Sequence, residues 1–295
     1  MRHDYSLAHL TVLSLTPPQV VDVAARAGYR YVGLRLTRVT PAEPLYDLAH
    51  DRALMKVTKS RLADTGVEVL DVELFRLDPS LDAESFIPVL EATAELGAKH
   101  IIAQLPDPDR TRATDRFARL CDLARPLGIF VSLEFPHWTE TGNLAAAAKV
   151  VRAVKRSNGG ILIDMLHMGR SNSSIPDLAK MPPEWFRFAH VCDAAKEVPP
   201  TMEGIIRTAR DERQFPGEGG IDVRGILACM PQDIPYALEI PRLALTRAVG
   251  PEEVALLALR VAQSHLDGAR NELSRVPVQR TKSPRKSIAG AESRA

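Results

Sequence analysis

Four side chains that could bind a metal ion interrupt apolar stretches of this sequence. Glu134, Asp164, His190 and Glu239 each have an apolar residue on both sides. A buried ionised carboxylate without a partner is costly, so three acids and an imidazole that converge in a protein interior need a compensating cation. One such acid alone is a weak signal, because it is more often paired with an arginine than functional. The four together predict a site for one divalent ion, with Mn²⁺ as the first choice and Mg²⁺, Co²⁺ or Zn²⁺ as alternatives.

Two further parts of the sequence could contribute to the same chemistry. His167 follows Asp164 by three residues; it is either a surface or helix-capping histidine or an imidazole that hydrogen-bonds a substrate hydroxyl beside the metal. The glycine-rich segment 213–222 is either a turn-rich loop that leads into a helix capped by Asp222, or a segment that places Arg213 over the site while its glycines let the backbone approach a ligand. The residues themselves leave both alternatives open.

The elements that must position these residues alternate along the chain from residue 5 to about residue 265. Short apolar runs predict strands, and amphipathic stretches between them predict helices, a pattern typical of parallel βαβ units. The eight predicted strands are 5–13, 31–36, 67–74, 100–105, 129–135, 160–165, 188–192 and 236–240. The predicted helices are 17–28, 52–63, 83–96, 111–127, 144–155, a short one near 177–180, and 251–265.

Eight such repeats predict an α/β protein with one domain, a closed (β/α)₈ TIM barrel. The active sites of these barrels lie where the strands end, at the carboxyl face. The four candidate ligands come from the fifth to the eighth strands, so closure of the barrel should bring them together. The connection 193–231 is long and rich in proline, glycine and charge, which is typical of a lid or binding loop.

The predicted domain covers residues 1–268, and residues 269–295 are predicted to form a disordered tail because they contain few apolar side chains. The chain has 38 basic and 37 acidic residues and a net charge of +1, which provides no overall field for a nucleic acid. Its 3 cysteines form neither a disulfide framework nor a thiolate metal motif. The amino terminus has no signal-peptide pattern and no apolar stretch is long enough to span a membrane, so we expect a cytoplasmic protein.

Together these residues resemble the sugar phosphate isomerase/epimerase superfamily, the xylose isomerase-like TIM barrels that include ketose 3-epimerases, inosose dehydratase and endonuclease IV. The resemblance covers about residues 5 to 265. Its most specific parts are the strand of Glu134, the Asp164-x-x-His167 motif, His190, the Arg213-x-x-Pro216-Gly217-x-Gly219 loop and Glu239.

The resemblance implies roles for these positions. Glu134, Asp164, His190 and Glu239 would bind the metal, and His167 and Arg213 would contact substrate hydroxyls. It also implies proton transfer on a small sugar-like substrate through an enediolate, with Glu134 and Glu239 as the catalytic base and acid. Family members often form dimers or tetramers, so a homo-oligomer is a further expectation.

Three alternatives to an isomerase or epimerase follow from the same site. A dehydratase of an inosose or of 3-dehydroshikimate would share the first proton abstraction, and a non-catalytic binding subunit would keep the fold alone. Cleavage of abasic DNA is disfavoured, because Glu73 and Gln104 stand where endonuclease IV has additional histidines.

Arg35 could bind a substrate carboxylate or phosphate, although a structural pair with Glu73 is slightly favoured. His137 and Trp138, just after Glu134 in the sequence, could form a wall of the pocket.

Overall fold

The computed structural model describes residues 3–268 as one parallel barrel surrounded by helices. Nine strands pair in the order β6-β5-β4-β3-β2-β1-β9-β8-β7, and every pairing is parallel. The strands are β1 (Tyr5–Leu7), β2 (Tyr31–Arg35), β3 (Glu68–Arg76), β4 (His100–Gln104), β5 (Phe130–Leu133), β6 (Gly159–Ile161), β7 (Ile163–Asp164), β8 (Ala189–Val191) and β9 (Tyr236–Leu238).

The two end strands of this order, β6 and β7, are consecutive in the chain. Only Leu162 separates them, and its backbone N–H donates to the carbonyl oxygen of Leu133 at 3.0 Å. The sheet therefore returns to its own beginning, with the sixth barrel strand divided into two short segments. The predicted single-domain (β/α)₈ TIM barrel is confirmed.

Helices cover the outside of the barrel. They are α1 (Pro17–Ala27), α2 (Arg52–Thr65), α3 (Ile87–Glu95), α4 (Arg110–Ala124), α5 (Leu144–Val154), α6 (Met165–Arg170), α7 (Ile175–Leu178), α8 (Met202–Asp211), α9 (Val223–Ala228), α10 (Leu243–Val249) and α11 (Pro251–Ala262). Local sequence sets their ends: Thr16 and Gln19 form a capping box before α1, and Gly28 ends that helix at a φ of 93°.

The apolar core has two layers. The larger layer packs the outer faces of the strands against the helices. The smaller one fills the inside of the barrel with Leu70, Leu74, Ile102, Leu162, Phe188 and Ala237. Branched and aromatic side chains thus close the interior, as in other barrels of this type, and leave the carboxyl ends of the strands for polar groups.

The structure corrects two of the predictions about elements. The strand predicted over 5–13 ends at Leu7 and is followed by a 3₁₀ helix, His9–Val12, because the Thr11 side chain bonds to the backbone of the last barrel strand instead of continuing the first. The long connection 193–231 is not a plain loop, since it contains α8 and α9. The helix α8 was not predicted, although its apolar residues Met202, Ile205, Ile206 and Ala209 have helical spacing, because prolines, glycine and charges surround them. In contrast, α9 begins at the predicted cap, Asp222.

Within residues 3–268, no helix is both long enough and apolar enough to cross a membrane. The predicted disordered tail, 269–295, lies outside the described residues.

Candidate metal centre

The four predicted metal ligands meet at the carboxyl end of the barrel. Asp164 is the last residue of β7 and His190 lies in β8, while Glu134 and Glu239 directly follow β5 and β9. All four are buried, and each offers one ligand atom within 4.8 Å of those of the others. Strands that are distant in the sequence therefore build one compact group of three carboxylates and an imidazole, which we call the ligand ring.

The imidazole of His190 faces all three carboxylates of the ligand ring. Its Nδ1 lies 3.2 Å from Glu239 Oε2 and 3.7 Å from both Glu134 Oε1 and Asp164 Oδ2. None of these contacts has the direction of a good hydrogen bond, and neither ring nitrogen has another partner among the described residues. Burial lowers the pKa of His190, but the adjacent carboxylates outweigh it and hold the pKa well above its usual range.

Arg213 lies against the ligand ring and joins two of its carboxylates. Its Nη1 donates to Asp164 Oδ2 at 2.6 Å, and its Nη2 lies 2.9 Å from Glu239 Oε2. The side chain is 3% exposed and is anchored by a bond from Nε to the carbonyl oxygen of Ala209. Burial opposes ionisation of the two acids, yet the positive charges of Arg213 and His190 keep the pKa of both Asp164 and Glu239 below the usual range.

Other contacts fix the orientation of the remaining ligands. Gln104 donates from Nε2 to Glu134 Oε2 at 2.5 Å. Asp164 caps α6, because its Oδ1 accepts the backbone N–H of His167 at 3.0 Å. Oxygen and nitrogen donors held this closely by neighbouring bonds fit a divalent ion, and the unpartnered Nδ1 of His190 supplies the fourth donor.

The predicted substrate-contacting imidazole lies next to the ligand ring. His167 is 3% exposed, so it is not the surface histidine that the sequence also allowed. Its Nδ1 lies 3.2 Å from Nδ1 of His137, and the ring of Trp138 packs edge-on against it. Burial, followed by the charge of His167, lowers the pKa of His137 to about 3, so His137 is neutral at physiological pH.

A cavity of about 60 Å³ lies at the ligand ring. That volume holds a few water molecules, so a molecule of sugar size requires side chains at the cavity wall to move. The described lining residues are Leu10, Arg35, Val39, Glu73, Leu74, Arg76, Gln104, Glu134, Trp138, Thr139, His167, Ala209, Arg210, Arg213 and Glu239. The cavity thus brings together all of the predicted site residues except Asp164 and His190, which lie beneath it in the ligand ring.

The glycines of segment 213–222 serve the fold of the loop. Asp193 is buried, and its two carboxylate oxygens accept backbone N–H groups of Ala194, Gly217, Gly219 and Ile221 at 2.8 to 3.0 Å. A Cβ on Gly219 would lie 2.1 Å from the carbonyl oxygen of Ala194. The close approach that these glycines allow in the structure is therefore to Asp193 and its neighbour.

Sequence reasoning placed one ion pair correctly and missed a larger network. Arg35 donates to Glu73 Oε2 at 3.1 Å, as the structural interpretation expected. Glu43 contacts two arginines, Arg35 and Arg210, each at 3.4 Å. Glu43 lies in irregular backbone, which no periodic pattern marks, and Arg210 lies on helix α8, which the sequence analysis included in a long connection.

Comparison with known proteins identifies the family. The family model described as xylose isomerase-like TIM barrel matches residues 21–259, which contain the whole ligand ring. The chain belongs to this family. The resemblance inferred from the strand-end acids and the Asp164-x-x-His167 motif is thereby confirmed.

Several known proteins are similar to this chain in sequence. An inosose isomerase of Bacillus subtilis is 26% identical over 157 residues, which are 49% of this chain and 54% of that protein. A 3-dehydroshikimate dehydratase of Pseudomonas aeruginosa is 25% identical over 231 residues, or 73% of this chain and 34% of that protein. The match therefore covers about half of the length of the inosose isomerase and about a third of the length of the dehydratase.

A solved structure confirms the fold over most of the chain. The crystal structure described as IolI protein with a binding zinc atom superimposes with a TM-score of 0.74 at 20% identity. The match covers 91% of this chain and 99% of that protein. At this identity the likeness establishes the barrel and its connections.

Proposed function

We propose that this protein is a metal-dependent isomerase or epimerase that moves a proton between carbons of a sugar or cyclitol. The observation that carries the proposal is the ligand ring itself: three buried carboxylates and one imidazole at the carboxyl face of the barrel, beside a cavity. Similarity to inosose isomerase supports a cyclitol or sugar substrate. Arg213 pairs with only two of the three acids, so a bound cation would offset much of the remaining cost of burying them so close together.

Glu134, Asp164, His190 and Glu239 would hold the ion. Their donor types suit Mn²⁺, which we expect first, while the zinc named for the IolI structure supports Zn²⁺ as an alternative. When bound, a divalent ion polarises a substrate carbonyl and makes the neighbouring C–H more acidic.

Glu134 and Glu239 would exchange the proton with carbon. The lowered pKa of Glu239, which the charges of His190 and Arg213 maintain against burial, keeps this carboxylate ionised and ready to accept a proton at neutral pH. One of the two glutamates would take a proton from carbon to give an enediolate. Return of a proton by a glutamate to the adjacent carbon would give an isomer, and return to the opposite face of the same carbon would give an epimer. The net charge of the substrate is unchanged by this exchange.

His167 and Arg213 would act on substrate oxygens. His167 lines the cavity, and its contact with His137 fixes the orientation of the ring. Arg213 also lines the cavity, although two of its nitrogens already bind Asp164 and Glu239. We therefore expect Arg213 to stabilise charge on the substrate chiefly through its field and through the ligands that it holds in place.

A dehydratase is the second candidate, because the match to 3-dehydroshikimate dehydratase extends over 231 residues of this chain. The first step, removal of a proton next to a carbonyl, would be the same. Water would then leave from the neighbouring carbon, so the products differ from the substrate in mass.

The deciding experiment follows solvent deuterium into carbon by NMR in D₂O, with ketoses, ketose phosphates and inososes as substrates and Mn²⁺ or Zn²⁺ added. An isomerase or epimerase incorporates deuterium without loss of water, and a dehydratase gives a lighter product. Glu239→Gln should slow exchange at least about 10³-fold, because it removes a base and weakens the metal site. Exchange at the wild-type rate in Glu239→Gln with metal still bound would exclude this mechanism, and lack of any bound metal would favour a non-catalytic binding subunit.

A further inference from the structure

Three arginines line the cavity in addition to Arg213. Arg35 belongs to β2, Arg76 ends β3, and Arg210 lies in the last turn of α8. None of them belongs to the ligand ring. Four guanidinium groups around a cavity of this size are more than the binding of a neutral sugar requires.

The three arginines differ in how well they are paired. Arg35 is 7% exposed and has contacts with two carboxylates, Glu73 and Glu43. Its charge is thus compensated within the fold. Because these contacts occupy both of its terminal nitrogens, Arg35 is suited to support the cavity wall.

Arg76 and Arg210 are paired much more weakly. Among residues 3–268, the carboxylate contact of Arg210 is Glu43 at 3.4 Å, and Glu43 is already shared with Arg35. Arg76 contacts Asp78 through Nε at 3.2 Å, so its two terminal nitrogens remain available. The Arg210 side chain is 28% exposed and the Arg76 side chain is 37% exposed, and both line the cavity.

The positive charges of these arginines also act on each other. Burial is the main cause that lowers the pKa of Arg210, and the charges of Arg35 and Arg76 lower it further. Arg210 shares the carboxylate of Glu43 with Arg35, so an anion bound beside Arg76 and Arg210 would reduce the repulsion between these guanidinium groups. A planar guanidinium offers two parallel N–H groups that match the oxygens of a carboxylate or phosphate.

We propose that Arg76 and Arg210 form an anion subsite, so that the substrate of the ligand ring carries a carboxylate or a phosphate group. This inference rests on the proposed function for the part of the molecule that reacts. The anionic group would lie at the cavity wall formed by β3 and α8, and the carbonyl end would lie over the ligand ring. A neutral sugar or inosose would then be a poor substrate.

The test compares matched pairs of ligands in the metal-loaded protein by isothermal titration calorimetry. One pair is cyclohexanone and 3-oxocyclohexanecarboxylate, and the other is fructose and fructose 6-phosphate. Since a hydrogen bond to a charged group is worth about 1.5–3 kcal/mol, the wild type should bind at least one anionic member about 10-fold or more tightly than its neutral partner. The pair that shows the preference identifies the anion as a carboxylate or a phosphate.

Variants then locate the preference. Arg210→Gln and Arg76→Gln should each reduce it at least about 5-fold, and the double variant should remove it. Arg207→Gln is the matched control, because Arg207 lies on the same helix, is 57% exposed and pairs with Glu212 away from the cavity lining. That variant should keep the full preference.

Two results would overturn the subsite: equal binding of both members of each pair by the wild type, or a preference that survives in the double variant. The second result would place the anion on the metal. Failure of the proposed function is distinguishable, because deuterium would then enter no ligand while the arginine-dependent preference persisted.

Discussion

Three carboxylates whose oxygens lie within 4.8 Å of a shared imidazole repel one another, and the charges of Arg213 and His190 outweigh burial and keep the pKa of Asp164 and Glu239 below the usual range. Arg213 contributes a permanent charge: burial lowers its pKa, but the negative charges of Asp164 and Glu239 outweigh burial and hold the pKa well above its usual value. A divalent ion held by the ligand ring would displace the proton of His190, because an imidazole binds a metal only in its neutral form. Arg213 would then offset one of the three negative charges of the carboxylates, and a bound divalent ion would offset the other two.

A fourth buried acid near the ligand ring differs from these three. Asp71 lies in β3 and is 1% exposed, and its carboxyl packs so closely on Gly33 that a Cβ there would be 2.9 Å from Oδ1. That oxygen has no hydrogen-bond partner among residues 3–268. Burial is the main cause that raises the pKa of Asp71 to about 8, so the folded protein keeps this acid protonated at neutral pH.

We predict that Asp71→Asn makes the protein less sensitive to alkaline pH. An unfolded aspartate ionises near pH 4, whereas folded Asp71 ionises near pH 8, so between these values rising pH favours the unfolded state. The amide cannot ionise. In urea denaturation with EDTA present, the free energy of unfolding of the variant relative to wild type should therefore increase by about 2–4 kcal/mol from pH 5 to pH 8. Asp115→Asn, at an exposed position on α4, should show no such trend, and a constant difference for Asp71→Asn would contradict the assignment.

The element that depends most on one side chain is the loop between β8 and α9. Asp193 accepts four backbone N–H groups and also pairs with Gln214 through two backbone bonds of 2.8 Å. Arg213 directly precedes that pair. The loop thus holds the arginine that joins Asp164 and Glu239, and the position of the ligand ring depends on a residue outside it.

We predict that Asp193→Asn destabilises the protein by at least about 3 kcal/mol, because the amide turns an N–H₂ group towards backbone donors and removes the charge that strengthened four hydrogen bonds. Urea denaturation measures this loss. Limited proteolysis should also cleave the variant near segment 215–221 sooner than wild type. Asp222→Asn is the control: Asp222 accepts one N–H at the start of α9, where asparagine caps a helix equally well, and its cost should stay below about 0.5 kcal/mol. Equal costs for the two variants would contradict this role of Asp193.

Over the whole molecule, sequence reasoning succeeded where one residue type has one dominant use. Apolar strands that alternate with amphipathic helices predicted the barrel, and acids inside apolar strands predicted which side chains converge. It failed where tertiary contacts decide: Thr11 ends the first strand through a bond to β9, 227 residues away. It also missed α8, whose apolar residues have helical spacing but lie in a segment rich in proline, glycine and charge. Arg213 was predicted over the substrate, but its closest partners proved to be Asp164 and Glu239, because a sequence does not reveal which buried charges will pair.

The ligand ring also links metal binding to the stability of the whole barrel. Its members come from β5, β7, β8 and β9, so an ion bound there joins elements that span residues 134–239. Only the folded chain brings these donors together, and a ligand that binds the folded state alone at 100 times its Kd adds about 2.7 kcal/mol to the free energy of unfolding. For a domain of this size that gain corresponds to a rise in Tm of roughly 5–10 °C.

We therefore predict that Mn²⁺ or Zn²⁺ raises the Tm of EDTA-treated protein by at least about 5 °C in differential scanning calorimetry. Asp164→Asn and Glu134→Gln should each abolish most of this shift, since each removes a charged donor. Asp122→Asn removes an acid that pairs with Arg156 away from the ring, and it should leave the shift intact. A shift of equal size in all of these variants would mean that the ion binds elsewhere. Because the readout is stability and not turnover, it tests the ligand ring without assuming any substrate.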